Sequence, residues 1–187
     1  MINIGDPPAS DFNDPLGVLS DCHRRVEHFL QLLLTVTQQA QGGELAPDQR
    51  AALEAGLRYF AEAAPKHTSD EEDSLFPRLR ACRHPEVRAA LAVVESLHAD
   101  HLRAEPAHQV VDELGRRWLA DGRLPADSVR TLSETLRQLA ATYQRHIAIE
   151  DTELFPLARR ALDTAAVAEL GQEMARRRGL RVGSGPR

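Results

Sequence analysis

The chain of 187 residues is poor in aromatics, has two cysteines and carries no long apolar run. Aromatic residues make up 4% of it, and no stretch alternates β-branched with polar residues, so nothing argues for strands. Cys22 and Cys82 form no metal-binding Cys pair, and a reducing compartment would keep both as thiols. No apolar stretch approaches the ~18–20 residues that cross a bilayer. Met1 to Pro15 carries Asp and Pro where a secretory signal would have a basic start and an apolar run. The expectation is therefore a cytoplasmic protein with no membrane partner. A net charge of −5 makes nucleic acid an unexpected partner. A Gly-rich phosphate loop and a Ser-His-Asp arrangement are both missing, which leaves no catalytic residue to assign.

What is present favours helix. Leu, Ala, Arg, Gln and Glu dominate, and all are good helix formers. The length suits one domain with a single core. Residues 1–13, rich in Pro and Asp, are expected to be poorly ordered. A first helix should start at Asp14-Pro15, a cap followed by Pro at the first helical position, and end at Gln41-Gly42-Gly43. A second should run from about Asp48 to Phe76, kinked by Pro65 and stopped or bent by Pro77. A third, from about Glu86 to Ala120, should bend at Pro106. A fourth should run from Ala126 to about Phe155 and on towards Leu162. Four long helices with short joints predict an all-α, antiparallel up-down-up-down four-helix bundle over residues 14–162. A short C-terminal helix near Thr164–Arg178 and a frayed tail fill residues 163–187. The Arg176-Arg177-Arg178 run is expected only to favour that helix's C-terminus.

The second helix ends in His67-Thr68-Ser69-Asp70-Glu71-Glu72-Asp73-Ser74-Leu75-Phe76-Pro77. A near copy follows 79 residues later, as His146-Ile147-Ala148-Ile149-Glu150-Asp151-Thr152-Glu153-Leu154-Phe155-Pro156. Residues four apart on a helix share a face, with Cβ atoms about 5–6 Å apart, so such a His and Glu can reach one metal ion or two neighbouring ones. Every long helix carries one such pair: His23/Glu27, His67/Glu71, His101/Glu105 and His146/Glu150. The four histidines fall at similar heights in the bundle, near one end, on the apolar seams. The first and third helices also resemble each other around His23 and His101, so the chain reads as a duplicated helical hairpin.

Burying this many carboxylates without cations would cost several kcal/mol for each unpaired charge. No seam carries an arginine to offset them, so metal is the simpler counter-charge. Eight candidate ligands exceed the needs of one ion and imply a dinuclear site. A nitrogen and oxygen donor set without thiolate suits iron or manganese, and zinc less specifically.

Both His-x-x-x-Glu-acidic-x-x-Leu-Phe-Pro stretches, with His23 in Asp21-Cys22-His23, resemble the hemerythrin-like (HHE cation-binding) family over residues 14 to 160. That resemblance implies a four-helix bundle around two iron ions, bridged by an oxo or hydroxo group and two carboxylates. Glu71 and Glu150 would bridge, and His23, His67, His101 and His146 would be terminal imidazoles. The oxygen-carrying members have a fifth histidine where this chain has Glu105, and the matching place in the other half is Glu27. His98 and His108 are the candidates for a fifth imidazole. Asp151 and Glu72 are the alternative bridges.

Glu27 and Glu105 would make the site richer in carboxylate, which favours Fe(III) over Fe(II). The expected function is therefore a non-haem di-iron protein that binds or reacts with dioxygen or peroxide, with a separate redox partner. Non-catalytic iron binding or handling is the second expectation, and a metal-free helical interaction module the third. Tyr143, one turn before His146, could hydrogen-bond a bound oxygen species or relay an electron; otherwise it is a core tyrosine. Phe76-Pro77 and Phe155-Pro156 are expected to plug the bundle end.

Overall fold

A computed structural model of the chain describes residues 10–180, and those residues form helices without strands. The expectations for residues 1–9 and 181–187 lie outside the described residues. The helices are α1 (Pro15–Ala40), α2 (Pro47–Glu62), α3 (Ala64–Asp70), α4 (Phe76–Ala81), α5 (Pro85–Asp121), α6 (Ala126–Ile149), α7 (Phe155–Ala161) and α8 (Thr164–Arg177). π-helical turns at Glu71–Leu75 and Glu150–Leu154 join α3 to α4 and α6 to α7. No described helix is long and apolar enough to cross a membrane.

Local chemistry sets the ends of these elements. Asp14 caps α1 by accepting a hydrogen bond from the Gly17 amide at 3.2 Å, with Pro15 opening the helix. Gln41 ends α1 in the left-handed region at φ 46°, and Gly42 follows at φ 77°, where a side chain would be strained. Pro65 separates α2 from α3 at Ala63. Pro106, expected to bend the third helix, lies within the continuous α5.

Pro77 does not stop its helix. The amide of Phe76 reaches back five residues to the Glu71 carbonyl, and that of Phe155 does the same to Glu150. A proline just beyond cannot donate a hydrogen bond, and its ring crowds the carbonyl four residues back. Widening the turn by one residue relieves that crowding, and both copies of Leu-Phe-Pro do so. Turns of this kind occur frequently at functional sites.

α1 packs against α2 and α6, and α5 packs against the same two helices, so the four stand in a ring. The core splits into two apolar clusters. One, at the Phe-Pro end, includes Leu19, Phe76, Leu97, Phe155 and Met174. The other includes Leu33, Leu57, Trp118 and Leu136. The buried histidines and glutamates occupy the layer between them.

α8 lies against α1, α3 and the first π turn. The Arg176-Arg177-Arg178 run does more here than complement a helix dipole. Arg177 and Arg178 donate to the two oxygens of the fully buried Asp70 at 2.9 and 2.7 Å. Arg78 forms a two-pronged pair with Glu173 at 2.9 and 3.0 Å. Residues 10–13, placed in the poorly ordered segment by composition, are tied to this end. The Ser10 amide donates to Asp21, and Arg178 stacks 5.6 Å from the Phe12 ring. Asp70→Ala strands both arginines and should cost about 3 kcal/mol, read as roughly 6–12 °C in Tm. Chemical denaturation showing a loss below about 1 kcal/mol would remove the clamp from the stability account.

Candidate metal centre

The buried layer starts from one histidine on each of four helices, α1, α3, α5 and α6. His23 of α1, His67 of α3 and His146 of α6 are buried, and His101 of α5 nearly so. Glu71 and Glu150, the first residues of the two π turns, are fully buried. Two groups have ligand atoms close enough to hold an ion: His23, His67 and Glu71, and Glu71, His101 and His146. Glu71 belongs to both. Its Oε1 lies 3.3 Å from His67 Nε2 and 3.8 Å from His23 Nε2, and its Oε2 lies 3.3 Å from His101 Nε2. Glu150 Oε2 lies 3.1 Å from His23 Nε2 and 3.2 Å from His146 Nε2, one imidazole from each group.

These close atoms are not aligned to satisfy one another. All four oxygens of Glu71 and Glu150, with His23 Nε2 and His146 Nε2, are buried without a hydrogen-bond partner among the described residues. Buried polar atoms nearly always have partners, and orphaned carboxylates are among the costliest exceptions. Six orphaned atoms converging on one small space fit bound metal.

Most of the imidazoles are held from behind by a carboxylate. His23 Nδ1 is 3.1 Å from Asp151, which also accepts from Ser20 at 2.7 Å. His101 Nδ1 is 2.7 Å from Glu72, and Glu72 also meets His98 Nδ1 at 2.8 Å. His146 Nδ1 is 3.7 Å from the buried Asp100, within ion-pair reach. Of these four rings, only His67 has a buried Nδ1 with no partner among the described residues. Carboxylates in such positions fix ring orientation and make the imidazole a stronger donor. Below the layer, Phe155 stacks on His23 at 5.4 Å and Phe76 on His101 at 6.2 Å.

The charges are strongly coupled. Burial opposes a charge on His23, but Asp151, Glu150 and Glu71 outweigh it and push its pKa up to about 12. Burial likewise opposes a charge on His101, and Glu71 and Glu72 raise its pKa to about 9. Complete burial pulls His67 down despite Glu71. For Glu71, burial favours the acid form, yet His67, His101 and His23 hold its carboxyl well below the usual range.

Six of the eight residues expected at the site are thus brought together: His23, His67, Glu71, His101, His146 and Glu150. Glu27 and Glu105 are not. Both are exposed, and neither belongs to the groups that could hold an ion. The reason is the path of the buried seam. From His23 it steps three residues to Val26, and from His101 three residues to Ala104, which turns the fourth residue outwards. His98 and His108, considered as a fifth imidazole, are engaged elsewhere, with Glu72 and Tyr143. Asp151 and Glu72, considered as bridges, stand behind imidazoles instead. That backing role, and that of Asp100, was missed in the sequence. Its one visible trace is the acidic residue directly after Glu71 and Glu150.

A sequence model of the hemerythrin HHE cation binding domain matches residues 14–158. The chain is also similar to an uncharacterized protein of Haemophilus influenzae, 26% identical over 170 residues that cover 89% of this chain and 91% of that one. With four histidines and Glu71 in groups that could hold metal, and Glu150 against two of those imidazoles, a chain matched over most of its length belongs to the hemerythrin HHE cation-binding domain family and is a metal-binding helical bundle.

Proposed function

We propose that the chain is a non-haem di-iron protein whose buried His/Glu centre binds or reacts with dioxygen or peroxide. The observation that carries this reading is the division of Glu71 between two groups, one oxygen towards His23 and His67 and the other towards His101. Glu150 repeats the sharing between His23 and His146. Two carboxylates shared between two imidazole pairs suit two ions, as in the carboxylate centres of other helix bundles. The donor set suits iron or manganese, and zinc less specifically. Bound iron would supply redox equivalents for dioxygen or peroxide.

The chain's own contribution is geometry and charge. Phe76 and Phe155 keep water from one side of the layer. Asp151 and Glu72 raise the donor strength of His23 and His101, which favours the more highly charged Fe(III). The preference first attributed to Glu27 and Glu105 thus rests on residues behind the imidazoles.

Non-catalytic iron binding or handling is the second reading, favoured by the missing acceptor at His67 Nδ1. Stopped-flow spectra of the reduced, iron-loaded protein mixed with dioxygen and with peroxide separate the two. Rapid oxidation with repeated turnover supports the first. Slow oxidation followed by release of ferric iron supports the second. A protein that binds zinc but takes up no iron would refute both.

A further inference from the structure

A cleft of about 600 Å³ opens between α2–α3 and α5, above the metal layer. That volume is in the range of small-molecule sites, about 300–1,000 Å³. Its walls are mainly apolar, from Leu57, Phe60, Ala61, Ala64 and Val111, with Thr68 and Ser69 at one end. Its floor is a hydrogen-bonded pair, His108 Nε2 and the Tyr143 hydroxyl, 2.9 Å apart. Tyr143 precedes His146 by one turn, and their ring centroids are 6.3 Å apart. A molecule seated in the cleft would therefore lie one side chain from the metal ligands. The centre as described does not use this space.

The lining has a definite electrical character. Glu105, Asp112 and Glu113 stand at its rim, and among the described residues no lysine or arginine lines it. Arg116 takes up part of the charge of Asp112, at 2.7 Å, while Glu105 accepts, among the described residues, only from the neutral Gln109. The floor adds no positive charge, because burial lowers the pKa of His108. Burial also raises that of Tyr143, which keeps it a neutral phenol. Phe60, 5.0 Å from the His108 ring, supplies an aromatic wall. Aromatic rings attract a cation within about 6 Å of the ring centre.

We infer that this cleft is a binding site for a small amphipathic cation, an ammonium group carried on an aryl or short alkyl body. The apolar walls take the body, and the acidic rim and the rings take the charge. Glu105, exposed and outside the metal groups, acquires a role here. The inference rests on the cleft alone, so it stands or falls separately from the iron reading.

The test is an NMR titration of the full-length, zinc-loaded protein, which is diamagnetic. Benzylammonium, benzyl alcohol and benzoate share one ring and differ in charge. Benzylammonium should shift the His108 and Tyr143 ring signals and saturate with a Kd of about 1 mM or tighter. Benzyl alcohol should bind about tenfold more weakly, and benzoate should leave those signals unmoved. Ala61→Trp, a substitution at an exposed position on the wall, should abolish the shifts. The double variant Glu105→Gln/Glu113→Gln should weaken benzylammonium at least about fivefold and leave benzyl alcohol unchanged. Equal binding of benzoate, shifts confined to other residues, or an unchanged double variant would overturn the inference.

Discussion

Glu71→Gln should strip metal from both positions at once, lowering affinity by at least about 100-fold, at or beyond the upper end of effects seen for residues behind the ligands. Glutamine keeps the volume of the side chain and removes its charge. It also replaces one of the two acceptor oxygens with an amide that cannot serve as a ligand. Each oxygen of Glu71 faces a different imidazole pair, so the amide nitrogen leaves one group without a donor, and the neutral amide oxygen, a weaker ligand than a carboxylate, loosens the other. Glu27→Gln is the matched control, since Glu27 is exposed and outside both groups. The measurement is the metal-to-protein ratio after dialysis against a weak chelator. A Glu71→Gln protein with the native ratio would end the shared-carboxylate account, whereas a halved ratio would show that Glu71 serves one position alone.

The contrast between Glu71 and Glu27 also shows what could be read from the residues and what could not. The four histidines were legible because each falls on an apolar seam, and seams follow from spacing alone. The rest of the site depended on whether the seam continues by three residues or four. After His67 and His146 the buried face includes the fourth residue, where a π turn begins. After His23 and His101 it continues through Val26 and Ala104, and the glutamates point to water. A four-residue spacing is the same in all four helices, so it could not separate the cases. The Leu-Phe-Pro ending could have done so, because a proline at that place widens the turn only in the helices whose glutamate is buried. The clamp of Arg177 and Arg178 on Asp70 was hidden for another reason. It joins residues more than a hundred positions apart, and no local pattern reports such a pair.

Chelating the metal should lower Tm by roughly 10–20 °C, if each of two ions is held about 100-fold below its working concentration. The gap should widen as pH rises from 6 to 9. The sign follows from the histidines. Without metal, His23 and His101 have pKa values pushed up to about 12 and about 9, against about 6.5 in the unfolded chain. A raised histidine stabilises the fold fully below the unfolded value and loses that contribution as pH rises through the folded one. The metal-free protein therefore weakens above about pH 6.5 through both histidines at once, the loss from His101 ending near pH 9 and that from His23 continuing towards pH 12. Glu71 acts in the opposite sense. Its carboxyl is held well below the usual range, so its contribution is present at neutral pH and disappears only in acid. In the loaded protein the imidazole nitrogens that face the carboxylates would hold metal in place of a proton, so the alkaline loss is absent. Metal uptake at pH 7 should then release about two protons, one each from His23 and His101. Calorimetry in buffers of different ionisation enthalpy counts them directly. A Tm gap that narrows with rising pH, or uptake that releases no proton, would mean that the ions do not displace protons from these imidazoles.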